Sequence, residues 1–523
     1  MNIFLSKLFW HNRNNVWVTG FIRIGSKYLR DVELLDYFSR IDTITKFKQS
    51  LYVANGQFSV VIRTSDEIWA ATDRLRNYPI FYSVFNDQYI LSDDCYKLVE
   101  MQQGKRFNKE AFDSFLLSGY VMNNLTLIDN IFQIEAGEYI VFGNSLSRSF
   151  YHDISNMIVT EIDFMTAVND LHRILYDLFK NHFLALSDKF IAIALSGGFD
   201  SRLVAAMCSK FHPGNVIFYT YGIENNIEVP AAKEVAKRLG IRWINIIYDS
   251  ELIEGFLDDK VFMEYFPYAS NLSSMFFLQE YFAVKFLKDN RIVPDNCVFM
   301  QGSSGDMLAG AHLTPAMKFK VDENHMTRLI FKEFFRLIKP DSQKESNIRK
   351  MIRDKVPDGK TEAWKGFENW DQKERQAKFI INSARVFSYF GFNYVLPLWD
   401  NLLMDFFSTI PFKYKLDKKL YDYVLTEYIF KDSDLNFSDE LNPLPLQKSF
   451  QRIKEKIKPF IPAKIRNLFI EHQNANFYDE ITNYMVKELD VNQIIRPYQL
   501  NYFNSYIVQW YLNKTRLTLD IKD

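Results

Sequence analysis

Short apolar runs bounded by turn residues fill the first 155 residues, and helical spacing takes over after them. Phe58–Arg63 and Ile68–Thr72 flank the polar turn at 64–67 and predict one antiparallel hairpin. Ile80–Val84 and Gln88–Ser92, around Phe85-Asn86-Asp87, predict a second; Gly137–Phe142 and Leu146–Phe150, around Gly143-Asn144, predict a third. From Phe164 to Phe183 the apolar residues recur at three- and four-residue intervals, as on one face of a long helix. The next run, Phe190–Leu195, has no polar position at all, which suits a strand buried on both faces of a parallel sheet. Helix and strand then alternate: Leu203–Met207, Val216–Tyr221, Ala231–Leu239 stopped by Gly240, and Trp243–Ile247. That alternation predicts a parallel α/β sheet. From about residue 320 the chain reads as mostly helical, and no internal repeat or low-complexity segment is visible.

A chain of 523 residues is too long for one hydrophobic core, so two or three domains are expected. A formal net charge of −1 gives no ground for bulk electrostatic binding to nucleic acid. Cys95, Cys208 and Cys297 are odd in number and far apart, a pattern suited to a reducing compartment and not to a disulfide framework or zinc site. The apolar stretch at the amino end is too short for a signal peptide, and no apolar run reaches the ~18 residues of a membrane span. A soluble cytoplasmic protein without nucleic-acid or membrane partners is expected.

The chemistry concentrates in Ser196-Gly197-Gly198-Phe199-Asp200-Ser201-Arg202, between the apolar strand and the following helix. Two glycines let the backbone approach a ligand, and the free N–H groups of a helix start point at negative charge, so the turn is an anion cradle. Asp200 would repel a phosphate directly, but suits a divalent metal lying between its carboxylate and a pyrophosphate. The loop lacks the G-x-x-x-x-G-K-[ST] pattern of the Walker type.

This loop resembles the SGGxDS loop of the PP-loop ATPases, which cut ATP between the α- and β-phosphates. Over most of its length the chain resembles asparagine synthetase and its relatives, the β-lactam synthetases and lasso-peptide cyclases. Asn55-Gly56-Gln57-Phe58 and Asp73 through Tyr82 look like "NGxF" and "RDRxGxxPLYY", and Thr126–Ile131 with Ala136-Gly137 look like "T-l-f-x-x-I-x-x-L-x-P-G". The resemblance implies α/β plus α+β architecture. Residues 1–155 would form a degenerate αββα sandwich of the class II glutamine amidotransferase (Ntn) type. Residues 160–430 would form the PP-loop parallel α/β domain, and 431–523 a helical extension completing it. The family's glutaminase uses an amino-terminal cysteine, whereas here Asn2 follows Met1 and the first cysteine is Cys95. Its glutamine-holding segments are not found either, so the first domain is expected to be a scaffold without glutaminase activity.

The resemblance also carries site residues. Leu195, Ser196, Gly197, Gly198, Asp200 and Ser201 would bind ATP, Leu195 and Tyr221 at the purine. Gln301-Gly302-Ser303-Ser304-Gly305-Asp306 looks like "SGEGAD", placing Gln301 and Gly302 on the nucleotide and Asp306, with Asp200, on Mg²⁺. Lys448, in a stretch similar to "R-x-K-x-G-F", would be the catalytic lysine at the α-phosphate. The family's glutamate is replaced by Ser303, and the Glu and Arg of "GLEVRVPFLD" by Asn393 and Val395, so a substrate other than aspartate is expected. The expected activity is an ATP-dependent carbon–nitrogen ligase that passes through an acyl-adenylate and yields AMP and pyrophosphate. Its carboxylate substrate would be a sugar acid, a peptide side chain or a small amino-acid derivative. Its nitrogen would come from ammonia, a separate amidotransferase or a substrate amine. The alternatives are a non-catalytic nucleotide-binding relative and a true asparagine synthase using ammonia.

Overall fold

A computed structural model describes residues 2–436 except 86–87, 103, 225, 227, 320–322 and 357–361, together with 480–490, 492–498 and 502–521. The amino-terminal part contains two sheets. β1 (Asn2–Phe4), β7 (Phe81–Phe85), β8 (Gln88–Ser92) and β9 (Ile131–Gln133) form one of four strands, in the order β1-β8-β7-β9. The other holds β2 (His11–Arg13), β3 (Val16–Ile24), β4 (Lys27–Arg30), β5 (Gly56–Arg63), β6 (Ile68–Thr72), β10 (Glu138–Phe142) and β11 (Leu146–Phe150). The three hairpins expected from the sequence are the pairs β5–β6, β7–β8 and β10–β11, all antiparallel.

The alternation of side chains along these strands decides the layering. Val61, Ala70, Ile140 and Phe142 face Ile80, Tyr82, Leu91 and Ile134 across the gap between the sheets. Val18, Phe58, Val60 and Trp69 point the other way, onto Leu34, Leu35 and Phe38 of α1 (Asp31–Phe38) and Phe47 and Leu51 of α2 (Ile44–Val53). On the far side, α3 (Cys95–Glu100) packs on β7, β8 and β9, and is followed by α4 (Lys109–Ser118).

α5 (Phe164–Ala185) leads into the second part, its amino end capped by the Asp163 carboxylate on the Thr166 N–H at 3.0 Å. A parallel sheet follows: β12 (Ile191–Ala194), β13 (Val216–Gly222), β14 (Trp243–Ile247), β15 (Val298–Met300) and β16 (Asn393–Val395), in the order β14-β13-β12-β15-β16. Ile193, Phe218 and Phe299 are wholly buried, as the unbroken apolar runs require. α6 (Phe199–Phe211) and α7 (Val229–Leu239) are the crossovers, and α7 ends on Gly240 in the left-handed region at φ +66°.

The strand order locates the crevice. From β12 the chain steps outward through β13 to β14, then returns to the opposite side of β12 as β15. The sense of winding therefore reverses between β12 and β15, and in open α/β sheets ligands bind outside the carboxyl ends of the strands at that point. Helices dominate after residue 323, as expected, but Gln372–Ile380 and Leu425–Phe430 are wound as π-helices and β16 lies among them.

The segments that look like amidotransferase signatures fasten the two parts together. Asn55 donates to Asp400 Oδ1 at 2.9 Å and accepts from the Asn401 N–H at 3.1 Å, while Gln57 accepts from the Leu396 N–H at 3.2 Å. Asp73 folds its own loop, accepting from the N–H groups of Phe58, Leu75 and Asn77. Asp400 is buried against Arg23, whose guanidinium donates to it through Nε at 3.2 Å and through Nη2. Burial alone would raise the Asp400 pKa, but His182 and Arg23 more than reverse this and hold its carboxyl well below the usual range.

Candidate nucleotide and metal site

The Ser196–Ser201 loop lies at the carboxyl end of β12 and the Gln301–Asp306 loop at that of β15, so the two sequence motifs flank the reversal point. In the first, Ser196 and Ser201 hydroxyl oxygens lie 3.0 Å apart, and the Gly198 N–H donates to Ser196 Oγ at 3.3 Å. Gly197 takes φ +77°, and a Cβ there would stand 2.5 Å from the Ala231 methyl of α7. Gly198 is the N-cap of α6 and is exposed. Arg202 donates to the Gly197 carbonyl at 2.7 Å and to that of Leu435 at 3.1 Å, tying the loop to the end of the helical part.

Asp200 and Asp306, 106 positions apart in sequence, meet here: the Asp306 N–H donates to Asp200 Oδ2 at 3.1 Å. Tyr421, wholly buried on the helix Lys419–Val424, donates its hydroxyl to Asp200 Oδ1 at 2.8 Å. Burial, and then the charge of Asp306, push the Asp200 carboxyl up to about 6. Asp306 itself is exposed. Both Asp200 oxygens keep a free lone pair after these hydrogen bonds. Together with Asp306 they form an oxygen-only donor set, of the kind a hard divalent cation prefers when phosphate or water completes its shell. The donor set therefore fits Mg²⁺.

Two glycines make that meeting sterically possible. A Cβ on Gly302 would lie 2.6 Å from the Asp200 carbonyl oxygen and 2.9 Å from the Ser201 nitrogen. One on Gly305 would lie 2.6 Å from the Tyr421 hydroxyl and 2.8 Å from Asp200 Oδ1. Between them Ser304 adopts φ +67° and donates to Gln376 Oε1 at 3.1 Å, and Gln376 in turn donates to Asp371 at 3.1 Å.

On the purine side, Leu195 is buried, its N–H given to the Tyr219 carbonyl at 2.8 Å and its carbonyl accepting from Thr220 Oγ1 at 2.6 Å. The expected backbone contact at Leu195 is thus limited to the remaining lone pair of its carbonyl. Tyr221 is half-buried, with its ring stacked on Tyr248 at 5.7 Å. Gln301 donates from Nε2 to Glu280 Oε2 at 2.7 Å, and Tyr219 donates to Glu280 Oε1 at 2.7 Å. Glu280 thus joins β13 to the loop after β15, and burial raises its carboxyl to about 7.

Lys448 lies outside the described residues. Asn393 and Val395 lie at the two ends of one strand. Asn393 opens β16, pairs with Val298 and is exposed, so it sits at the amino end of the sheet, away from the crevice. Val395 pairs with Met300 at the carboxyl end. Sequence reasoning missed Tyr421, Gln376 and Glu280. Glu280 alone carries a local signal, a charge inside the apolar run from Phe276 to Ala283.

Residues 171–430 match the protein-family model described as asparagine synthase. A glutamine-hydrolyzing asparagine synthetase 1 of Bacillus subtilis (strain 168) is 26% identical over 203 residues, covering 38% of this chain and 31% of that protein. A putative glutamine-hydrolyzing asparagine synthetase 2 of Methanocaldococcus jannaschii is 20% identical over 273 residues, 51% of either chain. The chain thus matches about a third to about a half of the length of these curated relatives. Among solved structures, an NH3-dependent NAD synthetase from Campylobacter jejuni aligns with 29% of this chain and 62% of its own at 20% identity. Its TM-score of 0.19 carries no inference about this chain.

Proposed function

Residues 171–430 belong to the asparagine synthase family, and on that premise we propose that the chain is an ATP-dependent carbon–nitrogen ligase that activates a carboxylate as its adenylate. The observation that carries this reading is the meeting of Asp200 and Asp306 beside the Ser196–Ser201 loop at the reversal point of the sheet. The N-terminus of α6 and the two serine hydroxyls would bind the phosphates. Asp200 and Asp306 would hold Mg²⁺, which when bound supplies charge neutralisation for the departing pyrophosphate. An oxygen of the substrate carboxylate then bonds to the α-phosphorus as the α–β bond breaks. Ammonia or an amine next attacks the acyl carbon, loses a proton, and expels AMP. Lys448 is assigned to the α-phosphate on its motif position alone. Ser303 and Val395, in place of the family's acidic and basic residues, favour a carboxylate other than aspartate.

The amino-terminal layers are read as a scaffold. All three cysteines are buried, and burial pushes each thiol upward, which is unfavourable for a thiolate nucleophile. ATP–pyrophosphate exchange, screened over sugar acids, amino-acid derivatives and peptides, tests the ligase reading. AMP and pyrophosphate are the expected products, and both Asp200→Asn and Asp306→Asn should abolish turnover in a folded protein. Release of ADP and phosphate, or full activity in either variant, would refute it.

A further inference from the structure

Two guanidinium groups meet in the interior with no carboxylate between them. Arg76, from the amino-terminal layers, and Arg385, opening the helix Arg385–Tyr389, are 3% and 5% exposed. Both line a small cavity of about 10 Å³ together with Lys7, Tyr268, Asn271 and Asn382, and no acidic residue lines it. Arg76 donates Nη2 to Ser273 Oγ at 3.4 Å and lies over the Phe81 ring, and Arg385 donates Nη2 to the Asn77 carbonyl and lies over the Tyr78 ring. Arg76 Nε and Arg385 Nη1 are buried without a partner among the described residues. The nearby acids are committed elsewhere. Asp93 accepts from the N–H groups of Ser6, Leu8 and Trp10, Asp94 pairs with Lys7 at 3.0 Å, and Glu135 and Glu374 face Lys355 and Lys378.

The backbone adds an independent sign. Arg76 occupies the glycine position of the "RDRxGxxPLYY"-like segment and adopts φ +56°, a left-handed conformation that glycine takes freely and arginine does not. A strained, buried cation facing another cation persists only if something in the surroundings favours it. A water molecule would satisfy the hydrogen bonds but place no negative charge between the two cations.

We propose that this cavity binds one small monovalent anion of the size of chloride, bridging Arg76 Nε and Arg385 Nη1 and joining the amino-terminal layers to the helical part. The cavity is about the size that holds one water or small ion and is far too small for a nucleotide. Burial, then the Arg385 charge, lower the Arg76 pKa to about 9 against the opposing pull of Glu135 and Glu374, so the guanidinium stays charged at neutral pH.

The test compares thermal unfolding of the full chain in sodium chloride and in sodium gluconate at equal ionic strength. Chloride should raise Tm by roughly 1 °C for each tenfold rise above its dissociation constant. Arg76→Gly should lose this dependence and, in gluconate, be at least as stable as wild type, because glycine accepts the backbone angle and no buried charge remains. Crystals of the wild-type protein soaked in bromide should show an anomalous peak within hydrogen-bond reach of both guanidinium groups. This last arm needs no variant to fold. No chloride effect in the wild-type protein, no bromide at the pair, or an undiminished chloride effect in Arg76→Gly would each overturn the proposal.

Discussion

Replacing Gly302 by alanine puts one methyl group where the two site loops touch. The new Cβ would stand 2.6 Å from the Asp200 carbonyl oxygen, 2.8 Å from its carbonyl carbon and 2.9 Å from the Ser201 nitrogen. All three are backbone atoms in the first turn of α6, so no side chain can rotate away. Widening the closest gap from 2.6 Å to 3.4 Å, the near edge of ordinary contact, needs about 0.8 Å of movement. That movement separates the Asp200 loop from the Asp306 loop, whose joint position the proposed chemistry requires. A shift of about 1 Å in reacting groups costs on the order of 10² in rate, whereas overpacking one methyl costs about 1–3 kcal/mol of stability.

Gly302→Ala should therefore lower ATP–pyrophosphate exchange about a hundredfold and weaken MgATP binding in calorimetry, while the protein still unfolds cooperatively. Gly214→Ala is the control, since nothing lies within 4 Å of a Cβ there and its φ is ordinary. It should leave both measurements unchanged. A folded Gly302→Ala protein with exchange and affinity within twofold of wild type would show that the two loops need not stay in register.

Asp400→Ala should destabilise the protein by about 3–5 kcal/mol in denaturant unfolding, because it leaves the Arg23 guanidinium buried and uncompensated. A loss below about 1 kcal/mol would mean that water reaches Arg23. Glu280 should make stability fall as pH rises. Its folded pKa of about 7 exceeds the ordinary 4.5, so between these values the folded chain keeps a proton that the unfolded chain has released. Its contribution is complete below about 4.5 and lost by about 7, and the difference between wild-type and Glu280→Gln unfolding curves across that window should show it. Incubation with glutamine and MgATP should release no glutamate. Release abolished by a cysteine-directed reagent would contradict the scaffold reading of the amino-terminal layers.

What the sequence made legible follows from how far each signal extends along the chain. β12 and β13 are unbroken apolar runs next to turn residues, so strand, turn and helix could all be read locally. β15 and β16 are three residues each, too short for any period, and their places in the sheet depend on contacts about a hundred residues away. The long strand β3 was hidden by Gly20 and by Thr19 and Arg23, polar residues that are nonetheless buried within it. Asp200 and Asp306 were legible because each sits in a glycine-marked loop, and the glycines mark where backbone must come close. Tyr421 was not: it reaches Asp200 from 221 positions away through a hydroxyl, and nothing in Lys419–Val424 distinguishes that tyrosine from a core one. Asn393 and Val395 differ in the same way: they share one motif, but the first opens β16 and the last ends it. Arg76 carries a signal of a different kind, a large cation in a slot whose neighbours ask for glycine. That local mismatch points to strain at the backbone, and the fold adds the second cation, Arg385, that makes the strain chemically informative.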